Sequence, residues 1–282
     1  MTFPWTDRQG RLSPLKAITF ALLFVPAIVT FIAYLRGALA PLPFKEGLRE
    51  IGEWTVRLII LTLAVTPAMR IFKLPRLAQV RRMIGVTAFA YALLHFTLYV
   101  ANEKFDLAFV ASEIALRIYL TIGFVALIGL TILAATSTDG MVRRLGRRWK
   151  QIHYAIYGIA VLAILHFFIQ SKIDVSQPTL MAGLYFLLMA YRVTASRRIA
   201  LTTLPLILCA IAAALLTALT EFAWYGLMTG VDPWRIAKAN FVIAYGLRPA
   251  PAVLITGIVI AALAWAWSAY DARGFKVKSA TA

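Results

Sequence analysis

Long apolar runs alternate with short, arginine-rich segments along nearly the whole chain. A helix needs about 20 apolar residues to cross the ~30 Å hydrocarbon core of a bilayer. Eight runs approach or reach that length, and they are Ala17–Leu35, Trp54–Met69, Met83–Val100, Ile118–Ala135, Ile152–Ile169, Thr179–Tyr191, Leu204–Trp224 and Ala252–Tyr270. The sixth run is short and needs flanking residues to complete a span. The pattern therefore predicts an all-α, polytopic membrane helix bundle of about eight transmembrane helices.

The composition agrees with a membrane protein rather than a soluble one. Hydrophobic residues make up 61% of the chain and charged residues only 15%, whereas soluble domains are about half apolar and a quarter charged. The single cysteine, Cys209, excludes an internal disulfide and any metal site built from several cysteines.

The positive charges between the runs predict how the helices are oriented. The N-terminal segment, 70–82, 136–151, 192–203 and the C-terminal segment together carry 19 Lys and Arg, and the alternating segments carry only 9. Because cytoplasmic loops carry the excess of Lys and Arg, both termini are predicted to be cytoplasmic. The net charge of +17 is then a topology signal, which argues against nucleic-acid binding.

All three histidines lie inside predicted spans or at their edges. An ionisable group within a membrane is costly and is a functional hypothesis by default. His95 lies roughly 20 Å along the third helix from Arg82, and His166 roughly 24 Å along the fifth helix from Lys150. Two imidazoles at one depth, on helices running the same way, could hold one haem iron between them. Proton relay and interhelical hydrogen bonding stay open as alternatives.

His153 differs from the other two because it lies at the predicted cytoplasmic interface. Thirteen residues separate it from His166, a step of about 20 Å and roughly 220° around the helix, so one porphyrin cannot use both. The position thirteen residues before His95 is Arg82, so His153 has no histidine mate. A proton relay is less favoured because Glu221 is the only clear carboxylate deep in a late helix.

Four segments carry a family resemblance, and they read LAVTPAMR (63–70), RRMIGVTAFAYALLH (81–95), TSTDGMVRRLGRRWKQIHY (136–154) and ILHFFIQSK (164–172). In this order they resemble the MsrQ family, also known as YedZ. These are haem-binding membrane subunits of periplasmic methionine sulfoxide reductase systems, within the ferric-reductase-like transmembrane group. The resemblance covers the chain from about residue 10 to about residue 198, and it places the family histidines on His95, His153 and His166.

The resemblance implies two cofactors, haem b and flavin mononucleotide (FMN). It also implies electron transfer from the quinone pool or a cytoplasmic flavin reductase, across the bacterial inner membrane. The acceptor would be a separate periplasmic, molybdopterin-containing methionine sulfoxide reductase that repairs oxidised proteins, so no catalytic residue is expected here. No dinucleotide-binding or P-loop pattern occurs in a suitable context, which predicts an external electron donor. The alternative function is a transporter or proton-relay protein without haem.

Further residues are predicted to surround the cofactors. Arg57 is a candidate donor to a haem propionate, and the alternative is an interfacial side chain paired with Glu53. Arg82, Arg147 and Arg148 are candidates for a flavin phosphate or quinone headgroup, although topology alone accounts for most cytoplasmic arginines. A second haem held by His153 is an alternative to a role in electron entry.

The resemblance divides the chain into a haem-binding transmembrane domain, 1–198, and a C-terminal extension of two helices, 199–282. Their connecting segment is predicted to be periplasmic. The extension is interpreted either as a structural addition or as a docking surface for the reductase.

Overall fold

The computed structural model describes residues 3–6, 9–172, 174–242 and 246–280. These residues form helices and connecting turns, without a β-strand. In chain order the helices are α1 (Pro14–Leu35), α2 (Pro43–Ile71), α3 (Ala78–Asn102), α4 (Leu107–Leu116), α5 (Ile118–Ala135), α6 (Asp139–Leu145), α7 (Arg147–His153), α8 (Ala155–Ser171), α9 (Ser176–Ser196), α10 (Thr203–Met228), α11 (Pro233–Ala239) and α12 (Pro249–Ala280). A 3₁₀ turn, Pro75–Leu77, leads into α3.

Eight helical stretches of the described chain are long and apolar enough to cross a membrane. They coincide with the eight predicted runs, which confirms the predicted fold class. The short sixth run is completed by its flanks and becomes Ser176–Ser196, 21 residues long. The predicted orientation of the termini stays a prediction.

Two features of the helices differ from the prediction. The second helix begins at Pro43, well before the predicted start at Trp54. The hydropathy pattern missed its first turns because they carry charged residues. The segment 101–117 contains α4, an apolar helix of 10 residues that is too short to cross a bilayer. The Asp106 side chain caps α4 by accepting a hydrogen bond from the Phe109 N–H at 2.9 Å.

The helices fall into two compact units. The first comprises residues 1–62 and 77–170. In it, Tyr91 of α3 inserts into the hydrogen-bond ladder of α1, where its hydroxyl donates to Leu23 O at 2.8 Å and accepts from Ala27 N at 3.0 Å. Pro26, which lacks an N–H, lies between those two residues. The contact ties α1 to the helix that carries His95.

The second unit comprises residues 63–76 and 171–282. Here α9, α10 and α12 pack together with small residues at their interfaces: a side chain on Gly183 or Gly257 would collide with α10 or α12 neighbours. Small residues allow close helix approach in membranes. Arg192 donates to Leu63 O at 2.5 Å, a carbonyl that lacks its helical partner because the donor position is Pro67. The predicted domain division at residue 198 stays a prediction.

Candidate functional site: a facing pair of histidines

The first unit brings the side chains of His95 and His166 together. His95 lies on α3 and His166 on α8, and their ring centroids are 6.3 Å apart with the ring planes at 84°. Phe96, the residue after His95, contacts Phe124 of α5 at 5.8 Å between ring centroids, which joins α3 to α5. The two histidines predicted to share a depth are therefore neighbours.

Each imidazole is held by a backbone carbonyl of a neighbouring helix. The Nδ1 atom of His95 lies 2.8 Å from Leu48 O on α2, and that of His166 lies 2.7 Å from Tyr119 O on α5. A carbonyl oxygen can only accept, so each Nδ1 must carry the proton and donate it. Nε2 is then the unprotonated nitrogen of each neutral ring, which is the form that binds a metal.

A glycine lies against each ring. A Cβ atom added to Gly52 would lie 2.7 Å from both Nδ1 and Cε1 of His95. The same atom on Gly123 would lie 2.8 Å from Nδ1 and 2.9 Å from Cε1 of His166. Real Cβ atoms do not approach other atoms so closely. The absence of a side chain at Gly52 and Gly123 therefore makes room for the two imidazoles.

The donor set and its spacing fit a haem. For each ring, a metal–nitrogen bond of about 2 Å and a distance of about 1.1 Å from that nitrogen to the ring centroid place the centroid about 3 Å from the metal. Two imidazoles on opposite sides of one iron therefore have ring centroids roughly 6 Å apart. The observed 6.3 Å agrees with that spacing. Among the described residues no group of three or more His, Cys, Asp or Glu could hold a bare metal ion. Two nitrogens suit a metal that brings its other ligands in a porphyrin.

Arg57 lies on α2, one turn beyond Glu53, and the two form an ion pair at 2.8 Å. Its guanidinium also lies 4.9 Å from the ring centroid of Trp54. Arg49 approaches the same carboxylate at 3.3 Å, and Glu53 itself is buried next to Gly52. The pairing is the one expected of the interfacial alternative, and a role toward a haem propionate stays a prediction.

Sequence reasoning missed Arg117, which lies at the start of α5 close to the support of His166. Its Nε is 2.5 Å from Glu113 of α4, and Thr121 donates to Ile114 O at 2.6 Å. These bonds fasten α4 to the turn that presents the Tyr119 carbonyl. The four-residue spacing of Glu113 and Arg117 is the available signal in the sequence, and it lies in a segment between two predicted spans.

His153 lies apart from the facing pair, at the end of α7. Its ring stacks on Trp149 at 4.0 Å between centroids, and its Nε2 is 3.4 Å from the Thr136 hydroxyl. Trp149 in turn donates from Nε1 to Thr136 O at 3.0 Å. His153 therefore sits in an aromatic and hydroxyl setting rather than opposite another imidazole.

The predicted arginines occupy two kinds of position. Arg82 pairs with Asp139 at 2.5 Å, and both side chains are largely exposed. Arg147 and Arg148 lie exposed at the start of α7. The structure brings Arg82 to the start of α6, and any role of the three toward a phosphate stays a prediction.

Comparison with known proteins relates this arrangement to a family. The profile of the family described as "Ferric reductase like transmembrane component" matches residues 51–164. The "protein-methionine-sulfoxide reductase heme-binding subunit MsrQ" of Rhodospirillum rubrum is 37% identical over 194 residues, covering 68% of this chain and 91% of the relative.

Two further relatives carry the same name. The Caulobacter vibrioides protein is 39% identical over 171 residues, covering 60% of this chain and 81% of the relative. The Bordetella pertussis protein is 36% identical over 200 residues, covering 68% and 94%. No solved structure matches the chain. The eight apolar helices and these bacterial relatives make it a multi-pass protein of the inner membrane, and the chain belongs to the MsrQ family.

Proposed function

We propose that this chain is the haem-binding membrane subunit of a methionine sulfoxide reductase system and that His95 and His166 are axial ligands of one haem b. The observation that carries the proposal is the facing pair at 6.3 Å, with both Nδ1 atoms donating to backbone carbonyls. A bound haem b supplies one-electron chemistry at its iron. The chain's own residues fix the two rings through the bonds from Nδ1 to the carbonyls of Leu48 and Tyr119.

The electrons enter, in this proposal, from the cytoplasmic side. Both termini are taken as cytoplasmic from the distribution of Lys and Arg, and the donor is the quinone pool or a flavin reductase. Arg147 and Arg148 then face the cytoplasm and suit the phosphate of FMN, since arginine binds phosphate in a bidentate manner. His153, on the same side, assists electron entry.

The electrons leave on the periplasmic side to a separate molybdopterin-containing methionine sulfoxide reductase. The relatives' name refers to a protein-methionine-sulfoxide reductase, and this proposal extends that partnership to the present chain. Arg57 and Arg117 lie near the residues that support the histidines, where cations suit haem propionates. The C-terminal extension is either a structural addition or part of the docking surface.

The experiment is a reduced-minus-oxidised visible spectrum of the detergent-purified protein, followed by reoxidation. We expect Soret and α-band changes of a b-type haem. We also expect the reduced haem to be reoxidised when a periplasmic molybdopterin methionine sulfoxide reductase and a methionine sulfoxide substrate are added together. Substrate without reductase is the control. A protein with no haem bands would favour the transporter or proton-relay alternative, and a haem that the reductase cannot reoxidise would contradict the proposed acceptor.

A further inference from the structure

The two histidine sites are related by an internal repeat. The sequence around His95 reads ALLHF (92–96) and that around His166 reads AILHF (163–167). His166 lies 71 residues after His95. The helices that support the two histidines repeat at the same spacing, because Ile51 and Gly52 correspond to Ile122 and Gly123. Each histidine bonds the carbonyl of a residue 47 positions earlier. Two separate pairs of helices therefore build the same local contact.

The glycine in each pair lies four residues after the carbonyl that the histidine bonds. In an α-helix the N–H of residue i+4 points at the carbonyl of residue i, so the side chain at i+4 lies close to that oxygen. Any Cβ at Gly52 would occupy space within 2.7 Å of the His95 ring, and any at Gly123 within 2.8 Å of the His166 ring. The glycine is thus what allows an imidazole to reach a carbonyl already used by the helix.

We infer that Gly52 and Gly123 are positioning residues for the two haem ligands. This inference rests on the proposed function. Each glycine acts through the Nδ1–carbonyl bond of its histidine, which fixes the tautomer and the direction of Nε2. A methyl group at either position would push the ring away, lengthen that bond and turn Nε2 from its partner ring.

The test uses Gly52→Ala and Gly123→Ala with two matched glycine controls. A Cβ at Gly129 on α5 would meet Ile159 at 2.8 Å, an overlap of the same size that involves no histidine. A Cβ at Gly158 on α8 would meet nothing within 4 Å. Haem affinity is measured by titrating haem into each apo-protein, and the spin state is read by visible and electron paramagnetic resonance spectroscopy on the monodisperse fraction.

We expect each of the two test variants to bind haem about 10- to 100-fold more weakly, the usual effect of losing a ligand's outer partner. We also expect part of the bound haem to change from low spin to high spin. Gly129→Ala and Gly158→Ala should keep the wild-type affinity and the low-spin spectrum. Because the test variants lie in different helix pairs, each tests the inference independently.

Three results would overturn the inference while wild-type protein still binds haem. The first is unchanged affinity and spin state in both test variants, and the second is an equal loss in Gly129→Ala. The third is failure of both test variants to give monodisperse protein, which would assign the glycines to folding. A wild-type protein that binds no haem would instead overturn the proposed function and, with it, this inference.

Discussion

At the scale of single residues, the three histidines differ in what holds their rings. His95 and His166 each donate from Nδ1 to a carbonyl, whereas His153 stacks on Trp149 beside the Thr136 hydroxyl. The first arrangement frees Nε2 for a metal, and the second occupies it in part. The three histidines thus have different chemical capacities.

Substitution of Arg57 tests the edge of the proposed haem site that is predicted to be periplasmic. A cation near the iron disfavours the more positive oxidised state, so we expect Arg57→Ala to lower the midpoint potential of the haem and to reduce haem retention. Potentiometric titration of the visible spectrum checks this. The control is Arg49→Ala, which removes the other, largely exposed partner of Glu53. Unchanged haem content and midpoint potential in Arg57→Ala would contradict a role of Arg57 toward the haem and favour the interfacial pairing with Glu53.

On the side predicted to be cytoplasmic, substitution of Arg147 and Arg148 tests the proposed flavin site. We expect Arg147→Gln combined with Arg148→Gln to lower FMN content and slow reduction by quinol, because the phosphate loses its bidentate partners. Arg197→Gln combined with Arg198→Gln removes the same charge from another exposed pair at the end of α9. Equal FMN content and equal reduction rates in the two double variants would remove Arg147 and Arg148 from the site.

The histidine pair could be predicted from the sequence, but the backbone carbonyls that hold the two rings could not. Two histidines at one depth on parallel helices follow from the 1.5 Å rise per residue of a helix. The carbonyl partners could not be predicted in that way, because every residue has a carbonyl and nothing in the side chains marks Leu48 or Tyr119. The shared IG and LHF sequences were a detectable signal, and comparing the chain with itself would have found them.

At the scale of helices, the positions of the spans were predicted correctly where the apolar run is uninterrupted. The prediction failed at the start of α2, where Lys45, Glu46 and Arg49 interrupt the apolar run although the helix continues through them. That early part of α2 carries Leu48 and Gly52, so the missed turns contain the residues that support His95. The α4 helix was missed because it is too short to register as a span.

The second unit contains a buried ion pair that links α10 to α12. The Glu221 carboxylate is fully buried and lies 2.6 Å from Arg248, with Asn240 at 3.4 Å. The contact makes Glu221 a structural partner and weakens its candidacy for a proton relay. Removing one partner of a buried pair is costly because it leaves the other charge uncompensated.

We therefore expect Arg248→Ala to lower the free energy of unfolding by about 3 kcal/mol. Thermal or denaturant unfolding of the purified protein in detergent measures it. The control is Lys73→Ala, which breaks an exposed pair with Asp271 at 3.7 Å in the same unit and should change stability little. Equal stability of the two variants would show that the Glu221 pair does not hold α10 and α12 together.

At the scale of the whole molecule, the chain combines a unit that carries the histidine pair with a second unit in which α9 packs on α10 and α12. The first unit contains all of the facing histidines, their carbonyl partners and their glycines. The proposed role as an electron-transfer subunit therefore depends on one site, where a haem would be held between His95 and His166.

The most direct test is the haem-to-protein stoichiometry of the wild type and of three single variants, measured on purified protein. We predict one haem per chain in the wild type, none in His95→Ala or His166→Ala, and one in His153→Ala, with slower electron entry. Two haems in the wild type, falling to one in His153→Ala, would make His153 a ligand of a second haem. Haem retained at the wild-type level in both His95→Ala and His166→Ala would contradict the central claim.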